Sequence, residues 1–390
     1  MSIAESRERA LVKAATPVRE IPGDPPTDQP KPGVALCLSG GGYRAMLFHL
    51  GALWRLNELG WLPRLDRVSS VSGGSITAGV LARHWADLDF DDSEIAAGFK
   101  TALADPIHDL AGETIDISAG LKGAFLPGSI ADRLAGSYDE HLFDKATLQD
   151  LPDRPRFVFN ATNLQSGVLW RFSKPYMWDY RVGKIENPTQ RLAVAVAASS
   201  AFPPFLSPLT LKLDESDYTP ATGRDLQSAA YMKRPVLSDG GVYDNLGLET
   251  AWKRYQTILV SDGGGHFTAK SRIWTNWPLQ ARRVLAVIDG QVRSLRKRQV
   301  IGGLAAGLRD GAYWGIWSHV ADFRLADALD FPDEAATQLA RVPTRLGKTD
   351  TVTQRRLVNW GYAICDTAMR KHVVPGTPPP AGFPYPEAGV

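Results

Sequence analysis

Cysteine and histidine are scarce in this chain, and each scarcity excludes something. Two cysteines in 390 residues cannot build a disulfide framework, and Cys37 sits in an apolar run while Cys365 sits in a distant helical stretch. The seven histidines, His49, His84, His108, His141, His266, His319 and His372, fall at no metal-ligand spacing, and no calcium loop of the D-x-[DN]-x-[DN]-G kind occurs. No metal or cofactor is therefore expected. A net charge of +2 gives no global field for nucleic acid. No apolar run reaches the ~18 residues of a membrane span, and Met1 to Arg19 lacks the apolar centre of a signal peptide. A cytoplasmic address follows as the expectation, with room for peripheral contact with a membrane.

With 44% apolar and 22% charged residues, the chain can fill one large core or two modest ones. Strand-like and helix-like segments alternate from residue 33 to about 300, which predicts a mainly parallel sheet covered by helices on both faces. Prolines crowd residues 1–32 and 374–390, predicting an N-terminal arm and an extended C-terminal tail around a domain over 33–373.

The chemistry concentrates in two glycine-bearing corners. Val34 to Ser39 has the length of a buried strand, Gly40-Gly41-Gly42-Tyr43-Arg44 follows it, and Met46, Leu50, Leu53 and Leu56 then recur at helical spacing up to Gly60. The glycines thus open a helix, where first-turn N–H groups lack internal partners and can face negative charge. A nucleotide loop is poorly supported. There is no G-x-x-x-x-G-K-[ST], and Gly40-x-Gly42-x-x-Ala45 is a weak dinucleotide match.

The second corner follows the strand-like Leu65 to Val71. Ser72 stands there between Ser70 and Gly74, before a helix whose inward face is Ile76, Val80 and Leu81. A nucleophile elbow needs small residues two positions either side of the nucleophile. Ser70 and Ser75 fit that requirement less well than Ser72, and Ser75 reads as a first-turn helix residue. A serine nucleophile needs a base. Asp239-Gly240-Gly241 can project a carboxylate from a tight turn, and Asp262-Gly263-Gly264 repeats the pattern after the strand-like run Thr257 to Val260. Among the histidines, His266 best suits a Ser, Asp, His chain order.

These motifs, in this order, resemble the patatin-like lipid acyl hydrolases over roughly residues 33–265. The resemblance rests on G-G-G-x-R at Gly40 to Arg44, the Ser72 elbow and the D-G-G turn at Asp239. It extends to Asn160-Ala161-Thr162-Asn163-Leu164 and Ala198-Ser199-Ser200-Ala201-Phe202-Pro203-Pro204. Ser70 replaces the usual first elbow glycine, and Ala45 a glycine after the basic residue; both are small. The resemblance implies a three-layer α/β/α fold with C-terminal helical decoration over about 275–373. It implies hydrolysis of phospholipid or related acyl esters by a Ser72–Asp239 dyad. It also implies an oxyanion hole drawn from Gly40, Gly41, Gly42, Arg44 and Gly73. Alternatives are a His266-dependent triad on small esters and a silent lipid-binding module.

Arg293, Arg296, Lys297 and Arg298 precede the apolar Ile301 to Leu308 and then Tyr313, Trp314 and Trp317. Such a stretch suits lipid headgroups and a membrane interface, though a solvated helix face with tryptophans capping the core is the commoner arrangement. Trp170, Tyr176, Trp178 and Tyr180 can edge a substrate cleft or simply pack.

Overall fold

The computed structural model describes residues 30–115, 130–203, 206–273 and 276–390. Most of the proline-rich arm, residues 1–29, and Pro204 lie outside them.

The first strand shows how the sequence builds the layers. In β1 (Lys31–Leu38), successive side chains point to opposite faces of the sheet. Leu36 and Leu38 enter a large apolar core, while Ala35 and Cys37 enter a smaller one on the other face. Burial on both faces explains the continuous apolar run. Beside β1 lie β2 (Leu65–Ser70), then β3 (Arg156–Asn163) on one side, and β10 (Tyr255–Asp262), then β11 (Asp310–Gly315) on the other, all parallel. The order reverses at β1. Leu38 pairs with Ser70 and with Ser261, so the carboxyl ends of β1, β2 and β10 converge there, and such a switch point is where open α/β sheets bind ligands.

Beyond β3 the sheet becomes antiparallel. β4 (Val168–Ser173), β5 (Tyr176–Asp179), β6 (Gly183–Glu186) and β8 (Tyr218–Thr219) form one wing. β7 (Leu209–Thr210) pairs with β9 (Val236–Asp239), which inserts antiparallel against the second half of β3 and sets Asp239 opposite Ala161. The mainly parallel expectation thus holds for the part that carries the glycine corners. The wing buries Trp170 and Tyr176 completely or nearly so, which makes them packing residues, while Tyr180 is exposed.

Helices flank both faces. On the large-core face, α1 (Gly42–Glu58) lies beside α2 (Gly73–Arg83), with α3 (Ile130–Tyr138) and α4 (Leu192–Ser199) nearby. The long α6 (Thr351–His372) covers α1, so α1 is buried almost all round. Arg55 of α1 and Arg370 of α6 share Asp366 at 2.8 and 3.0 Å, tying the two helices through a buried ion pair. The other face carries Trp252 and Val300, the latter from α5 (Trp277–Ala305). Instead of running extended, the C-terminal tail bends through turns and a short 3₁₀ helix (Pro386–Ala388) and is pinned to α6. Asn359 Nδ2 donates to the Tyr385 carbonyl at 2.8 Å and its Oδ1 accepts the Tyr385 N–H at 3.0 Å.

Candidate active site

Ser72 occupies the corner between β2 and α2 in a left-handed conformation, φ 51° and ψ −122°. A non-glycine residue there is strained, and such strain gathers at functional sites. The neighbouring Gly73 explains why the corner closes so tightly: a β-carbon at Gly73 would stand 2.1 Å from the Gly42 carbonyl oxygen. The two glycine corners are thus in backbone contact. Gly42 itself has φ 61°, in the region that glycine adopts without steric cost.

The N–H groups around this contact divide into engaged and unengaged. Gly40 donates to the Asn245 carbonyl at 3.0 Å, and Gly74 donates to Ser39 and Val71. Among the described residues, no partner takes the Gly41, Gly42 or Gly73 N–H. All three sit where α1 and α2 begin, the positive ends of two helix dipoles. Gly40, expected as an oxyanion donor, instead shapes the loop.

Arg44 also departs from expectation. Its guanidinium is buried and donates through Nη1 to the Ala340 and Val342 carbonyls at 2.7 and 2.9 Å, and through Nη2 to Gly263 at 3.0 Å. It braces the glycine loop against two neighbouring segments. Desolvation, aided by the nearby Arg293 charge, lowers its pKa to about 10.

Asp239 ends β9 and is 1% exposed. Its Oδ1 accepts the Gly241 N–H at 2.7 Å. Its Oδ2 is buried and, the neighbouring Ser72 hydroxyl aside, has no hydrogen-bond partner among the described residues. Burial raises the carboxyl to about 7, opposed by the Gly241 N–H and the neighbouring Ser72 hydroxyl and assisted by the Asp289 charge. A carboxylate so placed is a poised acceptor beside a serine.

Asp262 has the same turn and the opposite surroundings. Its Oδ1 accepts the Gly264 N–H at 2.9 Å, Tyr313 donates to Oδ2 at 2.8 Å, and Lys297 Nζ lies 2.9 Å from Oδ2. Arg293 approaches Oδ1 at 3.8 Å. Burial alone would raise this carboxyl, but the Lys297 and Arg293 charges hold it well below the usual range.

The basic stretch from Arg293 is corrected by these contacts. Arg293 and Lys297 turn inward to Asp262, and Arg296 pairs with Glu249 at 3.1 Å. Trp314 is fully buried and donates to Ser261 Oγ at 3.0 Å. Three of the four cations and Trp314 are therefore held inward, while Leu295, Arg298 and Ile301 stay exposed.

His266 is exposed and packs against the Trp317 ring at 5.2 Å. His49 is buried between the Ser39 carbonyl and the Ser261 hydroxyl, and burial lowers it to about 4. Neither supplies a partner to Asp239 Oδ2.

The sequence marked the 160–164 and 198–204 segments but not their role as the scaffold behind Ser72. The Ser199 hydroxyl accepts the Ser72 N–H at 3.0 Å, lies 2.8 Å from Ser75 Oγ and donates to the Asn160 carbonyl at 2.7 Å. Asn160 Nδ2 in turn donates to the Ser70 carbonyl at 3.0 Å. Thr162 Oγ1 donates to the Asp239 carbonyl at 2.8 Å. The 160–164 and 198–204 segments contain these residues, and the side-chain contacts exist only once β3 and α4 are packed.

Comparison with known proteins agrees with this arrangement at the level of family. The sequence profile of the patatin-like phospholipases matches residues 36–252, from the middle of β1 past Asp239. A search of curated proteins gives no match. Among solved structures, human GIVD cytosolic phospholipase A2 is similar at 14% identity and TM-score 0.45, over 94% of this chain and 66% of that one. The same human enzyme with methyl gamma-linolenyl fluorophosphonate gives TM-score 0.49, again at 14% identity, over 94% and 62%. VipD from Legionella pneumophila gives TM-score 0.36 at 17% identity, over 89% and 68%. The chain thus spans just under two thirds of the human enzyme's length. The matched profile covers more than half of the chain and runs through both glycine corners and the Asp239 turn: the chain belongs to the patatin-like phospholipase family.

Proposed function

We propose that the protein hydrolyses acyl esters of phospholipids or related lipids through Ser72 and Asp239, by way of an acyl-enzyme. One observation carries this reading: the buried Asp239 carboxylate keeps an otherwise unpartnered oxygen beside a serine held in a left-handed elbow. The family supports lipid as the substrate class.

In the first step Ser72 Oγ attacks the ester carbonyl carbon while its proton passes to Asp239 Oδ2. The carbonyl oxygen becomes an oxyanion, for which the unengaged Gly41, Gly42 and Gly73 N–H groups are the donors. Collapse of the tetrahedral intermediate breaks the bond to the leaving alcohol, which takes the proton from Asp239. Water then attacks the acyl-Ser72 ester with Asp239 accepting its proton. The second collapse releases the fatty acid and returns that proton to Ser72. Asp239 acts in place of a histidine because a carboxyl near 7 can take and return a proton near neutral pH.

The test is labelling by a fluorophosphonate followed by peptide mass spectrometry, together with hydrolysis of a phospholipid in the presence of a chelator. Modification at Ser72 and release of a fatty acid are expected. Label at Ser75, or turnover that survives Ser72→Ala, would overturn the assignment.

A further inference from the structure

The helix α5 is amphipathic in the reverse of the usual sense. Trp277, Val284, Ile288 and Leu295 recur at spacings of seven, four and seven residues, which sets them along one stripe of a helix with 3.6 residues per turn. Arg293 and Lys297 fall on the opposite side of the helix, about half a turn away, and there they bind Asp262. Around Arg293 and Lys297 the charged side therefore faces the protein and the apolar stripe faces outward, while the 277–289 part also exposes Leu279, Leu285 and Val287 on its other sides. Trp277 is 79% exposed, and Val284, Ile288 and Leu295 are each 52% exposed. Only Val300 and Gly303 of the whole helix are buried. The preceding segment adds exposed Ile273, whereas Phe267 packs against Gly290 and Arg283 on the opposite side of the helix. A run of large exposed apolar side chains of this kind marks an interaction site.

The charge around the stripe selects the partner. From Gly265 to Ile288 there is no acidic residue, whereas Lys270, Arg272 and Arg282 are exposed there. Of the helix's six basic residues, Arg293, Arg296 and Lys297 are paired with Asp262 and Glu249. Arg282 and Arg298 remain exposed, and Arg283 lies over the Phe267 ring. Asp289 is the helix's single acidic residue. A second copy of the helix would bring like charges together with little to offset them. An anionic lipid surface instead matches both the cations and the apolar stripe, with Trp277 suited to the headgroup boundary. The helix also runs close to the site, since it packs against the short helix Gly241–Asp244 that directly follows the Asp239 turn.

We propose that the outward stripe of α5 is a docking surface for an anionic bilayer, which brings the Ser72 site against the membrane that holds its substrate. The inference rests on the lipid acyl hydrolase reading, and it moves membrane contact from the inward cations of residues 293–317 to the outward stripe of residues 277–295.

The experiment compares the full chain with a Val284→Asp/Ile288→Asp variant, both at exposed positions that leave the core intact. Cosedimentation is measured with vesicles of phosphatidylcholine alone and with added phosphatidylglycerol, alongside hydrolysis of a soluble short-chain ester. The wild-type protein is expected to bind the anionic vesicles, less so as salt rises. The variant is expected to bind at least about tenfold more weakly, with ester hydrolysis unchanged within about twofold. Absence of wild-type binding, or equal binding by the variant, would overturn the proposal. So would a wild-type dimer in sedimentation velocity that the variant dissolves, because a second copy would then cover the stripe. Vesicle binding by a protein that cleaves no acyl ester would sink the hydrolase reading and leave the docking surface standing.

Discussion

Asp239-Gly240-Gly241 and Asp262-Gly263-Gly264 lie at the ends of β9 and β10 in one sheet, with β1, β2 and β3 between them, and each carboxylate is about 1% exposed. In each, Oδ1 accepts the N–H two residues on, at 2.7 and 2.9 Å. The second oxygen separates them. Asp262 Oδ2 meets Tyr313 and Lys297, while Asp239 Oδ2, the Ser72 hydroxyl aside, meets no hydrogen-bond partner among the described residues. Identical local sequence and equal burial thus give one carboxylate well below its ordinary range and one near 7. A buried charge is stable when paired, and an unpaired one raises its pKa and becomes a proton acceptor near neutrality. Asp262 also reaches the glycine loop indirectly, because Arg44 donates to the adjacent Gly263 carbonyl.

The largest expected effect tests the functional half of this contrast. Ser72→Ala and Asp239→Asn should each lower kcat/KM on a p-nitrophenyl ester by about 10⁴-fold or more, with the double variant little worse than either. Near-normal turnover in Asp239→Asn beside a dead, well-folded Asp262→Asn would exchange the two roles.

Asp262→Asn should instead act on stability. It leaves Lys297 and Arg293 without their buried partner, a change that costs about 3–5 kcal/mol in comparable pairs. Denaturant unfolding should report that loss at neutral pH, while the folded fraction keeps its turnover within about tenfold. Because the Asp262 carboxyl is depressed in the fold, its stabilisation is present above the unfolded carboxylate value and is lost as pH falls through its folded value. Unchanged unfolding in this variant would break the comparison.

Asp239 carries the opposite sign. Its carboxyl rises from 3.8 to about 7 on folding, so its contribution to stability is fully present below the unfolded value and is lost as pH rises through about 7. At ~1.4 kcal/mol per pH unit, ionised Asp239 costs up to roughly 4 kcal/mol above neutrality. Asp239→Asn should therefore melt higher than the wild type at pH 8, with the gain shrinking toward pH 5, even as activity disappears. Wild-type kcat/KM should rise with pH and level off above about 7. A rate that is flat from pH 5 to 8 would rule out this carboxyl as the base.

The smallest effect concerns His266. His266→Ala should retain turnover within about twofold, since the ring contacts Trp317 and offers nothing to Asp239. A collapse of activity with unchanged circular dichroism would replace the dyad with a triad.

The sequence by itself determined the two glycine corners, because their geometry is local. An apolar strand followed by glycines and a helical stripe permits few turns, and small residues around Ser72 allow its left-handed backbone. It also determined the layered α/β fold, through apolar runs long enough for strands buried on both faces. Tertiary structure decided the rest, because the deciding contacts join residues far apart in the chain. β9 inserts beside β3 and leaves Asp239 without a countercharge, whereas α5 covers Asp262 with two. Arg44 turns from the expected site toward carbonyls near 340 and 263. The orientation of α5 is the clearest case. Its apolar stripe alone predicts burial of that side, yet the buried Asp262 and Glu249 carboxylates draw Arg293, Arg296 and Lys297 inward and turn the stripe to the outside, because buried charges require partners more strongly than exposed apolar side chains require cover.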